Sequence, residues 1–415
     1  TFEGAKKWFK DQGIDLDKES FVIIFDATAL LPHVGIFPDG SPGGVIGAER
    51  YGNVADDPEV LRTILGGIAS GDVESAKQVM AFVLVLTTRI KAPFYLLAAH
   101  EHRSCDHLQV RKWSDDAARL ARAAGLPGFS GLIADGDAGA RRFAVDRYTG
   151  ARVPSCAIGL QRDGRFTTFF GRYDSEWAEG ESCIIFRGDI THILKKCRNQ
   201  VLNQGNRCLV IGGYHVSLQH LLEYYYCSKR AGFDGPRLKK ADVDVCDKQN
   251  ARAAESIAAN LPLTDALVGV VGDKAKGTAA YFKAFAFLSS ALSDETAGVA
   301  ARLEMAYSSV FFLEYWQVWI SASKTYTRKE NFVSDQLFFD ARMTAASLAI
   351  AVASAVLDTP ELKFHPAPGS TSDPVENLFG VVRTLVPGKT NLDFVTFCQT
   401  AKRGMCDWGL RFRLG

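Results

Sequence analysis

Short, unbroken apolar runs closed by turn residues or carboxylates fill the first half of the chain, and apolar positions at helical spacing fill the second. Residues 20–28 (SFVIIFDAT) form the clearest run, β-branched and aromatic, and predict a buried strand that ends on a carboxylate. Residues 43–47 (GGVIG) predict a short second strand after a Gly/Pro turn. Residues 81–87 and 93–99 (AFVLVLT, PFYLLAA) predict two more strands, separated by Arg89, Ile90 and Lys91. Residues 114–124 read as a helix, with Ser114 as its N-cap and Ala117, Leu120, Ala121 and Ala124 on one face. Residues 131–134 predict a strand ending at Asp135, and 183–186 a strand entering a helix over about 190–201. From about 217 to 357 helical period takes over, most plainly in 252–260, 279–293 and 299–320. Residues 365–372 are rich in Pro, Gly and Ser and predict a loop, and 374–385 predict one more helix.

A helix-rich block set after a strand-rich one predicts an α/β domain interrupted by a mainly helical insertion. The parts are 1–216, 217–365 and 366–415, the last returning to the first domain. The length of 415 residues allows a large core. Formal net charge is +1, which excludes a general polycation and confines any nucleic-acid surface to a local patch. The nine cysteines include no C-x-x-C pair, which argues against a zinc ribbon and for reduced thiols in an intracellular setting. No signal peptide opens the chain, and the apolar stretch 343–357 is too short to span a membrane. The chain opens on Thr1 rather than Met, as a fragment of a longer protein would.

Three acids stand out by placement: Asp26 and Asp135 at strand ends, and Glu376 at the start of a helix. Strand ends can bring two carboxylates together, and a helix across the sheet can add a third. Such a cluster repels itself unless divalent cations neutralise it. Two Mg²⁺ or Mn²⁺ ions about 3.5–4 Å apart would activate a nucleophile and stabilise the leaving oxygen of a phosphodiester. A plainer reading stands beside each. Aspartates at strand ends are common turn residues. Asp373-Pro374-Val375-Glu376 also fits a capping box, with Asp373 as N-cap and Glu376 at the third helical position.

On the helix that Asp189 would cap, Lys195, Lys196 and Arg198 suit DNA phosphates, or else a solvated face. His100, His102, Cys105, Asp106 and His107 match no metal-ligand spacing and read better as a polar loop. No phosphate loop of the G-x-x-x-x-G-K-[ST] type, no G-x-S-x-G and no H-E-x-x-H occurs.

Taken in order, these segments resemble the catalytic region of P-element-like and THAP-domain transposases. The stretches that carry the resemblance are FVIIFDAT with Asp26, IKAPFYLLA at 90–98, LIADGDAGARRF at 132–143, RGDITHILKKCRNQVL at 187–202 and SDPVENLFGVVR at 372–383. The last two are the most specific, because unusual residue types recur at fixed spacing. Residues 243–261 (VDVCDKQNARAAESIAANL) resemble the start of the family's insertion domain, which binds GTP in the P-element branch. The sequence departs from the family at Ala140, where an Asn is usual; the family's zinc-binding recognition domain is not among residues 1–415 and could precede Thr1.

The resemblance implies an RNase H-like fold and cut-and-paste transposition: metal-dependent cleavage of transposon ends, then attack of the freed 3′-hydroxyl on target DNA. It implies Asp26, Asp135 and Glu376 as catalytic metal ligands, with Asp189 and Asp373 as alternatives. Lys195, Lys196, Arg198 and Arg383 become candidates for phosphate contact or for buttressing the acids. It further implies a homo-oligomer on DNA, a nuclear location and GTP as a second ligand. The rival reading is a transposase-derived scaffold that binds DNA or protein without catalysis.

Overall fold

The computed structural model describes residues 1–46, 50–87, 94–102, 107–126, 129–134, 159–160, 166–168, 171–173, 186–203, 207–357, 371, 373–386 and 392–414. The chain divides into two compact units, one of residues 1–151, 176–185 and 355–415, the other of 152–175 and 186–354.

The first unit is built on a mixed sheet. Its strands are Phe21–Ala29 (β1), Gln78–Leu86 (β4), Phe94–His102 (β5) and Phe129–Ala134 (β6), in the order β6-β1-β4-β5. β1 runs antiparallel to β4, with Phe21 opposite Leu86 and Asp26 opposite Ala81. It runs parallel to β6, where the last pair is Phe25 with Ala134. The apolar run of β1 is buried from Phe21 to Phe25, and burial relaxes from Asp26 onward. Strand side chains alternate between faces.

On one face Phe25 stacks on Phe82, and Phe82 meets Trp113 edge-on. Helices Phe2–Asp11 (α1) and His107–Ala123 (α3) bury Phe2, Ala5, Phe9, Val110, Ala117 and Ala121 on this side. On the other face Val22, Ile24, Val79, Ala81, Val83 and Val85 form one core with Val375, Leu378, Phe379 and Val382. Those four come from helix Asp373–Thr384 (α12), and helix Phe394–Leu414 (α13) adds Phe394, Phe397 and Ala401. Each face of the sheet is therefore covered by helices.

Between β1 and β4 lie the short pair Gly35–Ile36 (β2) and Pro42–Gly43 (β3) and helix Glu59–Ser70 (α2). The strand expected over 43–47 shrinks to β3 and a single bridge between Val45 and Ser75. Gly44 breaks it: its φ is +90°, and a Cβ there would lie 1.9 Å from the His33 carbonyl oxygen. The helix expected to start at Ser114 starts at His107 instead, because buried Val110 extends the stripe of Ala117 and Ala121 by two turns.

The second unit holds short antiparallel strands Gly159–Leu160 (β7), Phe166–Thr168 (β8) and Gly171–Tyr173 (β9), then strand Phe186–Gly188 (β10) leading into helix Ile190–Leu202 (α4). After a hairpin of Val210–Ile211 (β11) and Tyr214–His215 (β12) it is helical: Leu218–Ser228 (α5), Ala251–Ala258 (α6), Leu261–Val271 (α7), Lys276–Ser293 (α8), Val299–Ala322 (α9), the single turn Arg328–Asn331 (α10) and Asp335–Leu357 (α11). α8 is the hub, buried from Gly277 to Leu292 except along one half-buried edge of Ala280, Lys283, Phe287 and Ser290. Gly277 is needed where the hairpin crosses it, since a Cβ would come within 2.6 Å of the Tyr214 carbonyl. Two polar tips find carbonyls inside this core: Tyr281 donates to Cys197 O at 3.0 Å and Trp316 to Val210 O at 2.7 Å. Among the described residues, no single helix is long and apolar enough to cross a membrane.

Candidate active site

Asp26 lies on β1 beyond the fully buried segment and is half-buried. One of its carboxylate oxygens accepts the Ala27 amide at 2.7 Å. By strand alternation it shares a face with Val22, Ile24 and Thr28, and this is the face packed against α12. Val375, Leu378, Phe379 and Val382 turn the apolar stripe of α12 onto the sheet, leaving Glu376 exposed in the first turn. Arg383 is seven residues on, so it lies along the same edge of the helix roughly 10 Å away. Its Nη2 donates to Thr28 Oγ1 at 2.7 Å, which fixes that edge beside β1. The fold thus sets Asp26, Glu376 and Arg383 on one side of one sheet.

Asp135 follows Ala134, the residue paired with Phe25, but lies outside the described residues, as does Ala140. The capping box drawn on Asp373 is displaced. α12 begins at Asp373 itself, and the Thr371 hydroxyl receives the Asp373 amide at 3.2 Å.

In the second unit Asp189 caps α4 as its sequence suggests. Its Oδ1 accepts the amides of Thr191 at 2.6 Å and His192 at 3.3 Å, and its Oδ2 meets His192 Nδ1 at 2.9 Å. A carboxylate can only accept, so Nδ1 carries the proton and the other ring nitrogen, Nε2, is the acceptor in the neutral ring.

The basic residues of α4 differ from one another. Lys195 is half-exposed. Lys196 is held at 2.8 Å by Asp340, an acid buried in α11. Arg198 is only 1% exposed. Its Nε donates to Asp242 O at 2.9 Å, Nη1 to Asp247 O at 2.8 Å, and Nη2 to Ala241 O at 3.1 Å and Asp244 O at 2.9 Å. Burial lowers its pKa, and the charges of Asp247, Asp242 and Asp244 oppose that. Arg198 is a clamp on the 241–247 segment and is not open to phosphate, a correction to the expectation. The polar loop expected around His100 and His102 is corrected at the described positions, where both keep to a strand end. His100 and His102 stand in β5, paired with Met80 and Gln78, and His107 opens α3. Cys105 and Asp106 lie outside the described residues. His100 stacks on Trp113 at 4.7 Å, and its burial there lowers its pKa against the opposing charge of Asp116. Thr28 and Asp340 escaped sequence reasoning. Asp340 had a signal, as a lone acid in the apolar run FFDARMTAASLAIAV.

No protein-family model matches the chain, and no curated protein does. Among solved structures it is similar to the Drosophila P element transposase strand transfer complex, with a TM-score of 0.63 and 11% identity over 98% of this chain and 84% of that one. At that identity the likeness is one of fold: a mixed sheet flanked by helices, of RNase H-like type, with a helical insertion.

Proposed function

We propose that the chain is the catalytic core of a DNA transposase, with Asp26 and Glu376 as two of its metal-holding acids. One observation carries this: α12, which bears Glu376, packs on the sheet face that bears Asp26. The likeness of fold to a transposase supports it. Both side chains offer hard oxygens, which fit Mg²⁺ or Mn²⁺. Such ions, when bound, supply charge to an attacking and a leaving oxygen. Asp26 and Glu376 hold the site at the sheet, and Arg383, anchored on Thr28 along the same edge, meets a DNA phosphate. Water attacks the scissile phosphorus, the bond to the 3′-oxygen breaks, and the 3′-hydroxyl is released. That hydroxyl then attacks a phosphorus of target DNA and displaces another 3′-oxygen, so bonds and charge balance. Asp135 is the proposed second acid, because it follows the last residue of β6 paired with β1. Asp189 stands in reserve, since its oxygens already cap α4. A homo-oligomer on DNA and a nuclear location belong to the same proposal.

End cleavage by the full chain, on DNA carrying the ends of its own element, tests it. Asp26→Asn and Glu376→Gln abolish Mn²⁺-dependent cleavage. Glu376 is exposed, so the Gln variant costs only a few tenths to about 1 kcal/mol of stability. Asp135→Asn abolishes cleavage while Asp189→Asn keeps a fraction of it; the reverse pattern assigns the second acid to Asp189. Full cleavage by Glu376→Gln beside an active wild type refutes the reading. A wild type that binds DNA but takes up no Mn²⁺ in a titration is the scaffold instead. We also propose that the insertion binds GTP, on the resemblance of residues 243–261. Calorimetry with GTP and Mg²⁺ tests this, and absence of heat with folded protein counts against it.

A further inference from the structure

Helix α9 turns Arg302, Ala306, Val310, Leu313, Trp316 and Ile320 into its own unit, yet large apolar residues also stand on its opposite, outer face. Its outer face carries Glu304, Ser308, Phe311, Tyr315, Val318 and Ala322, all exposed. The large ones are far out, with Phe311 61%, Tyr315 76% and Val318 64% exposed. The steps between these six positions alternate four and three, the spacing of a seam between two helices packed at a shallow angle.

We propose that this face is the contact between two copies of the chain, paired antiparallel about a two-fold axis beside residue 313. The sequence is self-complementary about that point. Phe311 falls opposite Tyr315 of the second copy, Ser308 opposite Val318, and Glu304 opposite Ala322, so small residues meet large ones and rings meet rings. The face carries one charged residue, Glu304, and no Lys or Arg. In the antiparallel pair the two Glu304 carboxylates stand eighteen residues apart along the axis, about 27 Å, well beyond the Debye length. Want of basic residues makes the face a poor partner for DNA. Phe311 and Tyr315, at their exposures, together present roughly 270 Å² of ring surface per copy. A stable interface needs about 800 Å² per partner, so the seam and its flanks make a weak, concentration-dependent dimer.

Sedimentation of the full chain without DNA, up to about 200 µM, tests this. The wild type dimerises reversibly in the micromolar range. Tyr315→Asp sets two like charges across the seam, raises Kd at least about a hundredfold and leaves the thermal midpoint unchanged, because Tyr315 packs little in the monomer. The double variant Ser308→Cys/Val318→Cys, oxidised and digested, yields a peptide joining position 308 of one copy to 318 of the other. A wild type that stays monomeric throughout, a Tyr315→Asp that dimerises as the wild type does, or cross-links that never join 308 to 318 each overturn the proposal.

Discussion

Arg198→Ala separates a structural guanidinium from a DNA-binding one. Arg198 is buried, and its donors go to the carbonyls of Ala241, Asp242, Asp244 and Asp247. Alanine leaves those acceptors facing a cavity. A net hydrogen bond to a charged donor is worth about 1.5–3 kcal/mol, and a buried acceptor left unsatisfied costs about 1–3. Water will reach some of the carbonyls, since most of these bonds are only partly buried. The expected loss is about 3–5 kcal/mol, the range for breaking a buried charged network. Arg198→Lys keeps the charge but not the planar fork, and loses about half as much. The chain has two units and will not unfold in a single step, so the assay is native-state hydrogen exchange read at residues 239–250 and on α4. A phosphate-binding arginine behaves oppositely: removing it leaves exchange untouched and lowers the salt slope of DNA affinity by about 0.9. A loss below about 1 kcal/mol at 239–250, together with a lowered salt slope, refutes the clamp.

His220 gives a pH test. The Thr278 hydroxyl accepts the Ser217 amide at 3.0 Å and meets His220 Nδ1 at 2.8 Å in a buried setting. Burial lowers the His220 pKa, opposed by Glu223 and reinforced by Lys274 and His215. The unfolded chain therefore takes up the proton at higher pH than the folded one. Stability from His220 is full above about pH 6.5 and is lost as pH falls toward the lowered folded value. Denaturation of His220→Gln should follow this curve less steeply than wild type below pH 6.5, and parallel curves would contradict it. Lys196→Met removes the ammonium that the buried Asp340 carboxylate holds and should cost about 3 kcal/mol, while Lys196→Met/Asp340→Leu should recover most of it. Equal losses in the single and double variants, by urea denaturation, would show that the pair carries no coupling.

The sheet was legible because its central run, FVIIF, is short, β-branched and aromatic, which favours a buried strand, and its carboxylate marks where burial ends. β4 begins at Gln78, three residues before its apolar run suggests, because pairing with β1 and β5 recruits Gln78, Val79 and Met80. The start of α3 is not legible locally: Ser114 is a good cap residue, but the burial of Val110, which only tertiary packing decides, carries the helix back to His107. The basic cluster of α4 was half legible. A helical projection places Arg198 between Leu194 and Leu202, inside the buried stripe, with Lys195 at the border of that stripe, and position in the stripe outweighs charge. The carbonyls it clamps lie more than forty residues away and leave no local trace. Asp26 and Glu376 stood out as strand-end and helix-start acids; that α12 returns to the face of β1 after a long excursion is a fact of packing alone.

That excursion sets an order on the ribosome. β1, β4, β5 and β6 are complete at Ala134, yet the cover of one sheet face, from Val375 to Ala401, is made about 240 residues later. At about 5–20 residues per second the bare face waits roughly ten to fifty seconds, with its apolar strands open to wrong partners. The same delay withholds Glu376 until after the helical block has been made. A product stopped anywhere in the helical block therefore presents a bare apolar sheet face and lacks Glu376 together with the helix that covers that face.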